Sequence, residues 1–299
     1  MNDSVSLALF TRTAERAANQ VIESYSTSFG LACRLLGAPH RQHIRNIYAL
    51  VRVADELVDG MTVEAGLTAA EQSETLESFI ERTHLALRQG CSSDLIIHAF
   101  ARTARQCGIT TELTTPFFDS MRTDLIRQDS SSPGLARFDA SAHADYIYGS
   151  AEVVGLMCLR VFLRDQHVSE PERRALEHGA RQLGAAFQNI DFLRDLSDDT
   201  DRLGRSYLGV NDRLSDEDRS SWVQTIREQL ADARASIPLL PPDARAAVRS
   251  ALELFTALTD RIEAVQIEDL YRRRVRVPNP VKAGLAARAL FTSWREPRR

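Results

Sequence analysis

The chain has 299 residues, a length that fits one large domain or two ordinary ones. Apolar residues make up 43% and charged residues 26%, a globular balance that excludes a disordered, collagen-like or disulfide-scaffold chain. The net charge of −4 gives no global basic field to hold a polyanion, so nucleic acid is not an expected partner.

The cysteines and the apolar runs bear on where the protein works. The four cysteines contain no CxxC pair, which favours reduced thiols in a cytosol: Cys33, Cys91, Cys107 and Cys158. The first residues lack a basic region followed by a long apolar one, so no secretory signal is predicted. The longest apolar stretch, 153–159, is far below the roughly 20 residues of a membrane span. We expect a soluble, cytoplasmic protein that could still contact a membrane surface.

Helical periodicity dominates the chain, and no long run alternates with period two. With only 14 glycines and 10 prolines, long helices are favoured. The pattern predicts an almost all-α protein with loops at 60–68, 129–141 and 198–205. Helices are predicted at 8–36, from Pro39 to 59, and at 69–89, 93–107, 113–127, 141–165, 169–197, 216–236, 242–274 and 279–294. No internal repeat or interdomain tether appears, so residues 1–299 are predicted to form a single domain.

The predicted second helix carries two carboxylates on its apolar face. Ile44, Ile47 and Val51 repeat at helical spacing, and Asp55 and Asp59 continue that face. Carboxylates that project toward a core require a cavity, a cation or a partner. Because Mg²⁺ takes oxygen ligands and keeps substrate phosphates as partners, the pair indicates a metal site for a phosphate ester.

A later helix carries a second acidic stripe, formed by Asp191, Asp195 and Asp199. Two acidic helices that face one another would make a site for several Mg²⁺ ions. The four-residue spacing is a weak signal by itself, since Asp212 and Asp216 share it and are interpreted as a polar turn before a helix.

An arginine accompanies each acidic pair. Arg52 lies one turn before Asp55, and Arg194 directly precedes Asp195. The guanidinium fork binds phosphate through two hydrogen bonds, although an ion pair on a solvated helix face is the alternative for each arginine. Carboxylates for metals beside cations for phosphate indicate a diphosphate ester, and the many apolar helix faces indicate a hydrocarbon tail.

These residues resemble the squalene and phytoene synthases, a family that joins two prenyl diphosphates head to head. Four blocks carry the resemblance in the family's order: 25–29 (YSTSF), 48–59 (YALVRVADELVD), 146–155 (YIYGSAEVVG), and 188–199 followed by 204–208 (GRSYL). They span about residues 20 to 210. The resemblance implies an isoprenoid-synthase-type helical bundle around a central cavity.

The resemblance also implies residue roles. The Mg²⁺ ligands would be Asp55, Asp59, Asp195 and Asp199. The residues that contact diphosphate or shape its site would be Ser26, Tyr48, Arg52, Gln188, Arg194, Arg205 and Tyr207, with Ser28, Phe29 and Asp191 also assigned to substrate binding. The prenyl channel would be lined by Tyr146, Ala151, Val154, Gly155, Leu183 and Phe187. Close helix packing is an equally good explanation for Ala151 and Gly155.

Two features depart from the family pattern or lie outside it. Family members usually carry Asn where this chain has Asp191, and the extra negative charge could act as a ligand or raise a neighbour's pKa. The basic cluster 272–276 (RRRVR) has no assignable role, with contact to an anionic membrane, a protein partner or solvent all open.

The resemblance implies condensation of two geranylgeranyl diphosphates through a cyclopropyl (prephytoene) diphosphate to phytoene, in carotenoid biosynthesis. Mg²⁺, or Mn²⁺ in its place, is the expected cofactor, and NADPH is not expected. Expected partners are prenyl diphosphates, a membrane surface contacted peripherally and downstream carotenoid enzymes. The small side chain of Cys33 favours depth for a C20 chain. Squalene or dehydrosqualene synthesis from two farnesyl diphosphates is the alternative.

Other classes fit the sequence less well. Head-to-tail prenyl synthases and terpene cyclases usually carry DDxxD, where this chain has DELVD at 55–59. A ferritin-like metal bundle needs paired ExxH sequences, and the chain offers ERTH at 81–84. A catalytically silent family member would not need the four aspartates and two arginines.

Overall fold

The computed structural model describes residues 5–129, 140–196 and 214–296, and within these ranges the chain forms helices and no strand. This confirms the predicted all-α fold. The first half contains α1 (Val5–Tyr25), α2 (Thr27–Arg34), α3 (Ala38–Asp59), α4 (Met61–Glu64), α5 (Ala69–Gln89), α6 (Leu95–Cys107) and α7 (Thr111–Asp129). The second contains α8 (Ala140–Ile147), a π-helical segment (Tyr148–Glu152), α9 (Val153–Leu163), α10 (Glu170–Arg194), α11 (Asp216–Ser236), a 3₁₀ turn (Ile237–Leu239), α12 (Pro242–Ala264), α13 (Ile267–Leu270) and α14 (Asn279–Arg295).

The sequence predicted one continuous helix over 8–36. This was wrong, because the helix is interrupted at Ser26. Ser26 adopts an extended conformation (φ −143°, ψ 112°), and its hydroxyl accepts a hydrogen bond from the Phe29 backbone N–H at 3.0 Å. This is an N-cap, which satisfies a helix donor that would otherwise lack a partner. The break separates α1 from α2 and places the segment 25–29 on the wall of the cavity described below.

The predicted helix 242–274 also ends early, at Ala264. After the short α13, residues 274–278 run extended, and we call them the basic strap. Val275 and Val277 are buried while Arg274 and Arg276 are exposed, the alternation of an extended chain with one face on a core. The predicted loop at 198–205 lies outside the described residues.

α9 and the π-helical segment before it pack very closely against α10, and glycine makes this possible. A Cβ on Gly155 would lie 2.4 Å from the Ala180 carbonyl oxygen, and one on Gly184 would lie 2.5 Å from the Ala151 carbonyl oxygen. Both distances are far inside van der Waals contact. Gly155 therefore has the packing role considered from sequence, and it also lines the cavity.

The helical run 141–163 is long and apolar enough to span a membrane by length and composition. Val153, Met157 and Val161 of this run are fully buried in the same core cluster as residues of α3 and α7. Its apolar character is therefore accounted for as that of an internal helix of the bundle.

We expect Gly155→Ala to lower the free energy of unfolding by about 1 to 3 kcal/mol, because the new methyl group meets a backbone carbonyl that cannot move independently. Gly284→Ala is the matched control, since a Cβ at that α14 position meets nothing within 4 Å. The control should stabilise the protein by up to about 1 kcal/mol through helix propensity. Urea titrations followed by circular dichroism measure both changes, and equal stability of the two variants would contradict the prediction.

Candidate active site

A large cavity of about 1340 Å³ lies between α2, α3, α7, the helical run 146–163, α10, α12 and the basic strap. Ligand sites for single small molecules are typically about 300 to 1,000 Å³, so this space exceeds what one such ligand needs. Charged residues from α3, α10 and the basic strap line it together with an extensive set of apolar side chains. The cavity therefore suits an amphipathic ligand with an ionic head.

The cavity collects the residues singled out from sequence. Every one of them that lies in the described part of the chain lines it: Ser26, Ser28, Phe29, Tyr48, Arg52, Asp55, Asp59, Tyr146, Ala151, Val154, Gly155, Leu183, Phe187, Gln188, Asp191, Arg194 and Asp195. Asp199, Arg205 and Tyr207 lie outside the described residues. Their roles, like those of the other residues, stay predictions.

On α3 the two aspartates line the cavity, and Asp55 is largely removed from solvent. This burial raises the pKa of Asp55 to about 8, with the Arg52 guanidinium opposing the shift and the charges of Asp59 and Asp124 adding to it. Arg52 is held by an ion pair with Glu56 and lies over the Tyr25 ring, 4.5 Å from its centroid. Asp55 is therefore mainly protonated at neutral pH as long as no cation compensates its charge.

On α10, Arg194 joins two carboxylates. Its Nη1 lies 2.9 Å from Asp191 Oδ1, and its Nε and Nη2 bind Asp195 at 3.0 and 2.8 Å. Burial raises the pKa of Asp191 to about 6, opposed by Arg194 and reinforced by Asp195. The aspartate found here in place of the family's usual Asn is thus paired with an arginine in the described structure.

The sequence analysis missed cations that the basic strap and α14 bring to the cavity. Arg274 binds Asp195 through Nε at 2.6 Å and through Nη2 at 2.9 Å. Arg276 and Lys282 also line the cavity, and partial burial, Arg194 and Arg276 lower the pKa of Lys282. The alternation in RRRVRV was the available signal, because it indicates an extended segment whose arginines share one face.

An aromatic group forms part of the apolar wall. The Phe29 ring centroid lies 6.1 Å from that of Tyr48 and 5.8 Å from that of Phe187. Phe255 of α12, also missed from sequence, stacks on Phe187 at 3.7 Å. Its spacing within α12 is that of ordinary core residues, so no sequence signal marked it. Aromatic faces attract cations, which makes this wall suitable for a positively charged hydrocarbon.

Asp124 of α7 is a further cavity residue that the sequence analysis missed. It is 3% exposed, and the Tyr146 hydroxyl donates a hydrogen bond of 2.8 Å to its Oδ2. Its negative charge contributes to the raised pKa of Asp55. Asp124 therefore links the predicted channel residue Tyr146 to the electrostatics of the acidic pair on α3.

The carboxylates that line the cavity suit a Mg²⁺ ion that also binds a substrate phosphate. No group of three or more metal-ligating side chains occurs among residues 5–129, 140–196 and 214–296. The predicted ligands within these ranges come instead from two helices that line the same cavity, Asp55 and Asp59 from α3 and Asp195 from the end of α10. Mg²⁺ is usually held by one or two carboxylates, with waters and substrate phosphates completing its shell. The residues thus fit a metal that binds together with a phosphorylated substrate.

The described helices form an isoprenoid-synthase-type fold. The family model for squalene/phytoene synthase matches residues 22–218, and the chain belongs to this family. Family membership makes the protein a prenyltransferase-type enzyme. It also speaks against the ferritin-like and terpene-cyclase interpretations.

Individual relatives agree with this assignment. A phytoene synthase of Arthrospira platensis is 29% identical, over 87% of this chain and 86% of the relative. Phytoene synthase 3 of Zea mays is 30% identical over 94% of this chain, which spans 66% of that relative's length. A solved dehydrosqualene synthase has a TM-score of 0.73 at 21% identity, covering 94% of this chain and 97% of its own. A squalene synthase of Alicyclobacillus acidocaldarius has a TM-score of 0.68 at 17% identity, covering 88% and 96%. These two structures show the shared fold.

We expect Asp124→Asn to lower the pKa of Asp55 below about 8, because the substitution removes a neighbouring negative charge and keeps an acceptor for Tyr146. Asp119→Asn, at an exposed position of α7 that pairs with Arg122, is the control and should leave Asp55 unchanged. Carboxyl ¹³C NMR titration of aspartate-labelled protein measures the shift. An unchanged Asp55 titration in Asp124→Asn would contradict the electrostatic coupling.

Proposed function

We propose that this protein condenses two geranylgeranyl diphosphates head to head, through prephytoene diphosphate, to phytoene, with release of diphosphate, in carotenoid biosynthesis. The observation that carries the proposal is one large cavity that combines carboxylates on α3 and α10 with basic side chains and an extensive apolar wall. Relatives named phytoene synthase, over most of this chain, support the choice of product.

The acidic pairs are proposed to hold the cations. Asp55 and Asp59 on α3, and Asp195 with Asp199, would bind Mg²⁺, or Mn²⁺ in its place. When bound, the metal would neutralise charge on the diphosphate and make it a better leaving group. Because the pKa of Asp55 is about 8, cation binding at pH 7 requires this carboxyl to release a proton.

The basic residues are proposed to receive the diphosphate. Arg194 and Arg274 both hold Asp195 in the described structure, and their forks can exchange that carboxylate for phosphate oxygens. Arg52, Arg276 and Lys282 add positive charge on the same cavity. Preorganised charge of this kind favours the transition state in which diphosphate departs. Ser26, Tyr48 and Gln188 offer hydroxyl and amide groups for the remaining oxygens.

The apolar part is proposed to hold the prenyl chains and to exclude water. Small side chains widen it at Cys33, Ala151 and Gly155, and all three line the cavity. Water would trap an allylic cation, so a dry wall protects the reaction. The faces of Phe29, Phe187 and Phe255 offer negative charge density to that cation.

Squalene or dehydrosqualene synthesis from two farnesyl diphosphates is the second candidate. A relative named 4,4'-diapophytoene synthase, from Staphylococcus haemolyticus, is 28% identical over 72% of this chain and 68% of the relative. The two candidates differ in chain length, and squalene formation also requires a hydride from NADPH.

The deciding experiment incubates purified protein with Mg²⁺ and either diphosphate, with and without NADPH, and identifies the extracted hydrocarbon by mass. We expect a C40 hydrocarbon from geranylgeranyl diphosphate without NADPH, and none after chelation of the metal. At subsaturating Mg²⁺ the rate should rise from pH 6 toward about 8, as Asp55 loses its proton. A C30 product would favour the second candidate, and no diphosphate release from either substrate would overturn both.

We expect Arg274→Gln to lower kcat/KM for the prenyl diphosphate by about tenfold or more, the loss typical of a charge-assisted hydrogen bond. Arg273→Gln is the matched control, because Arg273 is the neighbouring residue and pairs with Asp269 one turn away. The control should stay within about twofold of the unsubstituted protein. Equal losses in both variants would show that Arg274 acts only through general charge.

The partners and location follow from the same proposal. A cytoplasmic enzyme that uses prenyl diphosphates and releases a hydrocarbon would be expected to touch a membrane peripherally and to supply downstream carotenoid enzymes.

A further inference from the structure

The exposed face of α14 is unusual for a helix in contact with water. Six of its exposed positions lie on one side of the helix and form a continuous surface, which we call the apolar stripe: Ala283, Gly284, Ala287, Leu290, Phe291 and Trp294. The large members are well exposed, with Leu290 at 47%, Phe291 at 54% and Trp294 at 77%. A surface helix normally directs its polar face to solvent.

Another helix of the same protein shows the ordinary pattern. α11 has mainly polar or charged side chains at its exposed positions, among them Asp216, Gln224, Arg227 and Glu228. α14 already buries Ala286 and Ala289 on its inner side. The apolar stripe is therefore a second apolar face, beyond the one that packs against the protein.

The charges of α14 have one sign. The helix contains three cations, Lys282, Arg288 and Arg295, and its sequence has no Asp or Glu. Arg295 lies over the Phe291 ring at 4.6 Å, and Arg288 pairs with Glu253 of α12. An apolar face with Trp, Phe and Leu flanked by Lys and Arg is the composition of a helix that lies in a membrane interface.

The position of α14 joins this surface to the cavity. Asn279 and Lys282, in its first turn, line the cavity, and the exposed Arg274 and Arg276 of the basic strap directly precede it. Basic side chains of the strap and of the first turn of α14 therefore lie between the cavity and the apolar stripe along the chain. Each cation near an anionic bilayer surface adds electrostatic attraction.

We propose that α14 docks the protein on an anionic phospholipid bilayer, with the apolar stripe inserted at the headgroup level and the adjoining cations on lipid phosphates. The proposal identifies α14 as the surface that makes the peripheral membrane contact named above. It rests on the proposed function only in the reason for docking, which is the transfer of prenyl chains. A second copy of the chain fits less well. Stable protein contacts bury about 800 Å² per partner, and three partly exposed large side chains on one helix fall short of that area.

The fluorescence of Trp294, a member of the apolar stripe, can report membrane insertion directly. It has two tryptophans, Trp222 and Trp294, so Trp222→Phe leaves Trp294 as the single indole. This protein is mixed with vesicles of phosphatidylcholine alone or of equal parts phosphatidylcholine and phosphatidylglycerol. With the anionic vesicles we expect co-sedimentation, a blue-shifted Trp294 emission and protection from acrylamide. No substrate is needed, so the result is independent of whether the enzymatic proposal holds.

Variants identify the surface. Leu290→Ser combined with Phe291→Ser should weaken sedimentation with anionic vesicles by at least about tenfold, because two apolar side chains no longer enter the interface. Leu85→Ser is the matched control, since Leu85 is 41% exposed on α5, and it should bind normally. Circular dichroism checks that all variants remain folded.

Any of four results would overturn the proposal. One is an unchanged Trp294 emission in the presence of anionic vesicles. Another is equal binding to vesicles without phosphatidylglycerol, and a further one is equal binding of the double variant and the control. The last is a blue shift of Trp294 emission without lipid that grows with protein concentration, together with a dimer in ultracentrifugation. It would assign the apolar stripe to contact with a second copy of the chain.

Discussion

Carboxylates inside a largely apolar cavity are the constraint on which this structure depends. An ionised group removed from water requires a partner, and here arginines of α3, α10 and the basic strap provide it. Arg52 lies close to Asp55, and Arg194 and Arg274 both bind Asp195. At Asp55 the positive charge of Arg52 does not fully offset the cost of burying a carboxylate. The pKa of Asp55 is therefore raised, and its carboxyl group keeps its proton more readily. The carboxylates and arginines of the cavity can therefore accept a ligand that carries both an anionic group and a bound cation.

The rest of the bundle holds this wall in place. The run 148–163 packs on α10 closely enough that Gly155 and Gly184 admit no Cβ without a clash. The π-helical segment 148–152 carries Ala151 both into that contact and onto the cavity wall. Such segments often occur at functional sites because the wider turn redirects side chains. The same residues therefore fix the helix spacing and the width of the prenyl chamber.

The basic strap connects the catalytic proposal with the membrane proposal. Its buried valines attach it to the core cluster that contains α12 residues, and its arginines turn to the cavity and to solvent. α14 follows directly, so a single stretch of chain runs from the proposed diphosphate site to the apolar stripe. Diphosphate recognition and lipid contact would then share one local concentration of positive charge. An enzyme with amphipathic substrates benefits from having both functions on adjacent elements.

The sequence by itself determined the helical class, the two acidic helices and the family. These follow from local spacing, because residues four apart share a helix face whatever the rest of the chain does. All the predicted site residues within the described ranges line one cavity, although their chemical roles and the single-domain organisation stay predictions.

Only the tertiary structure decided which distant residues join that cavity. Arg274 lies 79 positions after Asp195, and Phe255 stacks on Phe187 from another helix. Helical periodicity also did not show the break at Ser26, where a side-chain cap starts a new helix, or the end of α12 at Ala264. Contacts between residues so far apart in sequence depend on how the helices pack. Packing depends on the whole chain and cannot be read from the spacing of nearby residues.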